Sequence, residues 1–251
     1  PDGYPEKFHA LLDAGKGMVF LHHAIAGWPA WEGYAEIVGG RFHYQPAALA
    51  GVDYPDSGYR HDVTHTVEVL DPGHPIVDGV DPTFEITDEL YLFPVFEDRV
   101  EPLMRSTYDF VDQNFYSADR AIRGSRNDRT GWSHPRGSNL VAWTKTVGRS
   151  PIAYLQFGDG PTTYADPTYR RILANAIRWA ASTHVTPTLR CANGRCWGGS
   201  LIAYRVRRVV MSQTPLFGRF AHRSRVVPTS GATGGDEATQ RGQIWRSRPS
   251  Q

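Results

Sequence analysis

Gly17-Met-Val-Phe-Leu-His-His-Ala24 decides the reading of the fold. Met18 to Leu21 is a short run without a polar residue. A strand with one wet face alternates, so a continuous apolar run predicts a strand buried on both faces, as in a parallel sheet. Upstream, Phe8-His-Ala-Leu-Leu-Asp-Ala-Gly15 spaces its apolar residues helically and stops at a glycine. Downstream, Trp31 to Val38 reads as a second helix, closed by Gly39-Gly40. The order is helix, strand, a turn carrying His22 and His23, then helix. Ligands of open α/β sheets bind outside the carboxyl ends of strands, which makes that turn the first candidate site.

Further along, His65-Thr-Val-Glu-Val-Leu70 alternates and predicts a strand with one wet face, broken at Asp71-Pro72-Gly73-His74-Pro75. Glu89 to Phe93 and Val100 to Ser106 read as strands. Residues 109–138 are polar and Arg-rich, which predicts a long excursion over the surface with at most one helical turn. Asn139 to Thr144 and Pro151 to Phe157 form a strand pair across Val147-Gly148-Arg149-Ser150. Asp166 as N-cap and Pro167 at the first helical position open a final helix to about Ala181. No internal repeat is visible.

Charge divides the 251 residues. Residues 1–189 carry 16 basic and 24 acidic side chains, a net of −8, whereas residues 190–251 carry 11 Arg, no Lys and two acids, a net of +9. We expect one α/β domain over 1–183 and a basic, largely disordered tail over 184–251. The change to arginine alone suggests a non-native extension, such as a shifted reading frame. The two cysteines, Cys191 and Cys196, both lie in the tail, so the domain has neither a disulfide framework nor a cysteine nucleophile. No run of 18 apolar residues exists, which argues against a membrane span. The tail arginines lack interleaved aromatics, so no specific nucleic-acid partner is expected. No signal peptide is visible and the chain starts at Pro1. The cytoplasm is the expected compartment, with secreted or periplasmic placement left open.

Two adjacent imidazoles at a strand end supply a general base and a metal ligand. Neighbours on a strand face opposite ways, which argues against His22 and His23 sharing one site. Asp88-Glu89 reads as a pair of acids at a strand start, suited to a metal, a proton or sugar hydroxyls; two solvated acids is the plainer reading. His65 is a candidate metal ligand, although no metal-binding spacing such as H-E-x-x-H occurs. Trp28 and Trp31 offer faces for a sugar, or simply helix packing. Arg120, Arg123, Arg126 and Arg129 recur every three residues and, if helical, would line one face. The serine elbow and both glycine-rich nucleotide motifs are absent.

Several segments together resemble the ThuA-like, or trehalose-utilisation, family. They are Leu12-Asp-Ala-Gly-Lys-Gly-Met-Val-Phe-Leu-His-His-Ala24, Gly39-Gly40-Arg41-Phe42, His65-Thr-Val-Glu-Val-Leu-Asp-Pro-Gly-His-Pro-Ile76, Asp88-Glu89-Leu90-Tyr91 and the closing helix Arg171 to Ala181. The resemblance implies a flavodoxin-like fold, similar to class I glutamine amidotransferases, with a parallel sheet flanked by helices. It also implies that an amino-terminal βαβ portion precedes Pro1, and hence that the chain alone is unstable or aggregates. The nucleophilic cysteine of true amidotransferases is replaced by His22-His23-Ala24, so glutamine hydrolysis is not expected. Two departures stand out. The histidine after Gly-Gly-x-Phe is displaced to His43, and Asp159 stands where the family often has histidine.

The expected function is carbohydrate catabolism on a glucoside or 3-keto-glucoside related to trehalose, by isomerisation, elimination or hydrolysis. His22, His23 and Glu89 would carry the chemistry, and Trp28, Trp31 and Asp88 would bind substrate. His65 would hold a metal. The cofactor is open, with room for a divalent metal ion. The partner is a small carbohydrate, and a homo-oligomer is compatible. The alternative is a non-catalytic sugar-binding or scaffold domain.

Overall fold

A computed structural model describes residues 3–182, all within one compact unit. The expectations for 184–251 lie outside the described residues. In chain order the elements are α1 (Tyr4–Asp13), β1 (Met18–Leu21), a 3₁₀ turn (His22–Ala26), α2 (Glu32–Val38), β2 (Ala47–Leu49), β3 (Val52–Tyr54), β4 (Gly58–Val69), β5 (Thr83–Leu92), β6 (Glu101–Ser106), β7 (Tyr116–Ser117), α3 (Ala118–Ile122), β8 (Leu140–Val147), β9 (Ser150–Leu155), α4 (Pro161–Ala165) and α5 (Pro167–Ser182). Among the described residues, no helix is long and apolar enough to cross a membrane.

The main sheet runs β1-β9-β8-β6-β4-β5, with β7 also paired to β4. The α/β class is as expected, but among the described residues parallel pairing is confined to β1 with β9, in the register Met18↔Ile152 to Leu21↔Leu155. Every other pair in this sheet is antiparallel. The β8–β9 hairpin turns at Gly148 (φ +60°), a left-handed conformation that suits glycine. Full burial falls on β9 rather than β1: all six β9 residues are buried, whereas β1 is half-buried along its length. The reason is position. β9 lies between β1 and β8, while β1 ends the described sheet order.

Alternation along β9 sends Ile152 and Tyr154 to one face, with Phe8, Leu12, Tyr34 and Ile37 of α1 and α2. Ala153 and Leu155 go to the other face, with Tyr169, Ile172 and Ala176 of α5. Trp143 is fully buried, and its indole N–H donates to the Val38 carbonyl at 2.8 Å, so the largest core side chain leaves no polar group unpaired. The stretch 109–138 departs from the surface excursion expected. It contains β7 and α3, and Phe110 and Phe115 are fully buried beneath it. Its polar average concealed two aromatic anchors. The arginine series shares no helix face, because α3 ends at Ile122; Arg120 pairs with Asp128 and Arg123 with Asp119.

Gly17 lets α5 close against β1. A Cβ built there would lie 1.9 Å from the Ala180 carbonyl oxygen, a backbone atom that cannot rotate away. Gly17→Ala is therefore expected to cost about 3 kcal/mol by overpacking, read as a lower urea midpoint at unchanged slope. Gly73→Ala, whose added Cβ meets only the Asp71 carboxylate at 3.5 Å, should shift the midpoint little. Equal midpoints for both variants would refute this packing account.

Candidate active site

The chain leaves β1 and bends at once into the 3₁₀ turn. His22 adopts φ +42°, a left-handed conformation unusual for a histidine and costing about 1 kcal/mol. Two buried hydrogen bonds fix the turn. The Tyr154 hydroxyl donates to the His22 carbonyl at 2.9 Å. The His22 Nδ1 lies 2.7 Å from the Gln156 carbonyl; a carbonyl can only accept, so Nδ1 carries the hydrogen. Nε2 is thereby aimed inward, 3.0 Å from Glu89 Oε2, 2.7 Å from the Tyr91 hydroxyl and 3.7 Å from Asp159 Oδ1.

His22 and His23 do meet at one site, because a turn does not obey strand alternation. The His23 Nδ1 is 2.9 Å from the same Tyr91 hydroxyl, and its Nε2 contacts the Tyr44 hydroxyl. Tyr44, His23, Tyr91, His22 and Glu89 thus form one hydrogen-bonded chain from an exposed tyrosine to a buried carboxylate.

Glu89 and Asp88 lie well inside β5 and both are buried, which corrects the reading of two solvated acids at a strand start. Adjacent on a strand, they serve opposite faces. Glu89 sits with Tyr91 on the α1/α2 side. Asp88 accepts from the backbone N–H groups of Glu89, Gly158 and Asp159 at 2.9, 2.7 and 3.2 Å. Its carboxylate is thus committed to holding the loop that presents Asp159, not to the site itself.

His61 completes the group. Its Nδ1 lies 3.1 Å from Glu89 Oε1 and 3.9 Å from Asp159 Oδ2. It reaches Glu89 because β4 bulges: the register passes from Arg60↔Leu90 to Val63↔Asp88, so His61 and Asp62 together oppose Glu89. Asp62 takes up the extra residue at φ +54°. The bulge reverses the facing of the strand, with Tyr59 in the α1/α2 core and Val63 in the α5 core.

His65, beyond the bulge, therefore points to the α5 side. There its Nδ1 meets the Ser106 hydroxyl at 2.8 Å, and its ring stacks over Phe157. His65 stands apart from the other ligand candidates. Among the described residues, one group offers three metal-ligand atoms within 4.8 Å of one another: His22, Glu89 and Asp159. The tryptophans are also engaged elsewhere. Trp28 stacks on Tyr4 with ring centroids 3.6 Å apart, and Trp31 packs edge-on against Phe8 at 5.7 Å, so both tie α1 to the turn. Tyr44, 37% exposed, is the aromatic beside His23. The displaced His43 is buried against Tyr54, away from these groups.

Electrostatics favour the charged form of each partner. Burial pulls the His22 pKa down, but the Glu89 carboxylate and the Gln156 carbonyl outweigh it and leave it raised. Burial pushes Glu89 up, yet the His22 hydrogen bond, the His61 charge and the Tyr91 hydroxyl leave it lowered. Asp159 is raised, by burial first and by the Glu89 charge second. The group thus contains a proton-holding imidazole, a fixed carboxylate and a second carboxylate more basic than usual. Its rim is open, with the side chains of His61 and Asp159 40% and 45% exposed.

His61, Tyr91 and Asp159 were not among the sequence candidates. Tyr91 was findable, lying two residues beyond Glu89 and so on the same face. The break in alternation at His61-Asp62 was the signal for the bulge.

A family model described as ThuA, trehalose utilisation, matches residues 2–180. No curated protein matches the chain. Among solved structures, a ThuA-like protein of Parabacteroides merdae ATCC 43184 gives a TM-score of 0.53 at 16% identity, over 74% of this chain and 67% of its own. A ThuA-like protein of Bacteroides uniformis ATCC 8492 gives 0.51 at 20% identity, over 72% of this chain and 65% of its own. This chain thus spans about two thirds of their lengths. At such identities the likeness is one of fold, and these neighbours fit a flavodoxin-like α/β fold.

Proposed function

The chain belongs to the ThuA family of trehalose utilisation, and from that premise we propose that it processes a glucoside or 3-keto-glucoside of the trehalose type by proton transfer at the His22–Glu89 pair. The observation that carries the reading is His22 Nε2 held 3.0 Å from a buried carboxylate at the carboxyl end of a parallel strand, beside the open rim of His61 and Asp159.

Each group has a role that its surroundings support. In a 3-keto-glucoside the hydrogen on C2 is acidified by the neighbouring carbonyl. Asp159, at the rim and more basic than a free carboxylate, takes that proton. The C2–H electron pair becomes a C1=C2 double bond as the C1–O bond breaks, and the departing oxygen receives a proton. His22, kept charged by Glu89, stabilises the negative charge developing on the carbonyl oxygen. Tyr91 and His23 pass protons between the buried pair and the exposed Tyr44 side. Arrest before C1–O cleavage and reprotonation on the other face gives isomerisation instead.

The test incubates the protein with trehalose, simple glucosides and their 3-keto derivatives in deuterated buffer, followed by NMR. Deuterium entry at C2 or release of the aglycone is expected with the keto sugars. Saturable sugar binding without exchange or release would replace this reading with the non-catalytic binding domain.

A further inference from the structure

We propose that His22, Glu89, Asp159 and His61 form a binding site for one divalent first-row transition-metal ion. The site goes beyond the sugar reading, and metal binding does not depend on any sugar being turned over.

The spacing is that of a coordination sphere. Ligands about 2.1 Å from a tetrahedral ion lie about 3.4 Å from one another. His22 Nε2 lies 3.0 Å from Glu89 Oε2 and 3.7 Å from Asp159 Oδ1, around that value, and these three residues offer ligand atoms all within 4.8 Å of one another; His61 Nδ1 is a fourth donor that meets the other oxygen of each carboxylate, Glu89 Oε1 at 3.1 Å and Asp159 Oδ2 at 3.9 Å. Three features of the backbone, in separate parts of the chain, bring these donors together. The strained turn at His22 aims Nε2 inward, with Nδ1–H tied to the Gln156 carbonyl. A ligating histidine is ordinarily held this way, its other nitrogen donating to a carbonyl or carboxylate. The β4 bulge swings His61 onto the face of Glu89. Asp88 fixes the amides of Gly158 and Asp159 and so sets the approach of the Asp159 carboxylate.

Charge and donor type narrow the ion. Two carboxylates with two neutral imidazoles carry a net charge of −2, which a dication cancels. Mixed nitrogen and oxygen donors favour zinc, cobalt, manganese or iron over magnesium or calcium, which take oxygen ligands. A bound ion would supply Lewis-acid polarisation of a sugar carbonyl in place of the His22 proton, and the Tyr91 hydroxyl, 2.9 Å from His23 Nδ1, would turn to that acceptor.

The test uses the full chain after dialysis against EDTA, with no sugar present. Calorimetric titration with Co(II) or Zn(II) is expected to give one equivalent bound at micromolar affinity or tighter, with no Mg(II) binding at the same concentrations. His61→Ala and Asp159→Asn are each expected to weaken binding about 100-fold, while the α1 surface variant His9→Ala leaves it unchanged. Should a site variant fail to fold, pulsed EPR of the Cu(II)-loaded natural chain decides instead, with coupling to two imidazoles expected. Absence of a stoichiometric site, affinity unchanged from the natural chain in both site variants, or coupling to fewer than two imidazoles would overturn the proposal. Failure of the sugar assay alone would leave this result standing.

Discussion

Lowering the pH from 7 to 4 is expected to cost the protein about 6 kcal/mol of stability through His43 and His65. Both imidazoles are buried and both have pKa values pulled down to about 4 from the ordinary 6.5. Burial is the main cause in each. The Arg41 and His134 charges add to it at His43, whereas the Asp88 carboxylate opposes it at His65. Neither His43 Nε2 nor His65 Nε2 has a hydrogen-bond partner that would reward charging. Above pH 6.5 the rings are neutral in folded and unfolded chains alike, and the full stability is present. Between 6.5 and 4 the unfolded chain takes up a proton that the folded one refuses, so stability falls throughout that window. A shift from 6.5 to about 4 corresponds to ~3 kcal/mol per ring. His23 and His134 are also lowered and act in the same sense. His22 is raised and acts oppositely, adding stability as the pH falls through its own higher range. Set against a total stability of about 5–15 kcal/mol for a domain, the loss brings the protein close to unfolding at pH 4. Urea melts at pH 7, 5.5 and 4 in EDTA, which removes any contribution of bound metal, should show midpoints falling steadily. His65→Gln should flatten that fall by about half. Equal midpoints at pH 7 and pH 4 would exclude buried neutral histidines as the source.

His65 also shows how far the sequence could be read. The β1 strand, the His22 turn, α2, the β8–β9 hairpin and α5 all stand where local pattern put them, because each is set by contiguous signals: an apolar run, a glycine stop, a turn, an N-cap. The partner of the His22 turn was harder. The alternation read from His65 to Leu70 begins beyond the bulge and so carries no word of His61, and a single inserted residue at His61-Asp62 exchanges the two faces. Nothing short of the pairing with β5 reveals that Glu89 stands opposite the bulge. Asp159 was read as the loss of a family histidine. It is a member of the group because Asp88, 71 residues away in sequence, binds its backbone. The aromatic candidates failed for another reason. A tryptophan near a site serves equally as packing, and α1 had a stacking partner ready in Tyr4. Local pattern thus located the turn, while long-range register and two loop anchors built the rest.

Glu89→Gln is expected to lower turnover of a 3-keto-glucoside about 1,000-fold with little change in KM. The amide preserves the size of the side chain and offers His22 a neutral oxygen at the same place, so the turn and the core beneath it should persist. What disappears is the charge. Glu89 is the main influence holding the His22 pKa up, through both its hydrogen bond and its Coulomb attraction. Without it, burial, the largest influence on the ring, pulls the His22 pKa down, and negative charge developing on the sugar oxygen meets an imidazole that holds its proton less firmly. Loss of a positioned acid or of one electrostatic donor each costs about 10²–10³-fold. Asp159, freed of a neighbouring carboxylate, becomes a weaker base, which compounds the loss. Two readouts separate the routes by which Glu89 acts. If the His22 proton carries catalysis, the alkaline side of the variant's pH profile moves down with the imidazole and excess metal changes nothing. If the ion carries it, millimolar Co(II) restores a substantial part of the rate by refilling a weakened site. Retention of more than a tenth of the natural rate by a folded Glu89→Gln protein, without added metal, would remove this carboxylate from the chemistry and leave the Asp159–His61 rim to act alone.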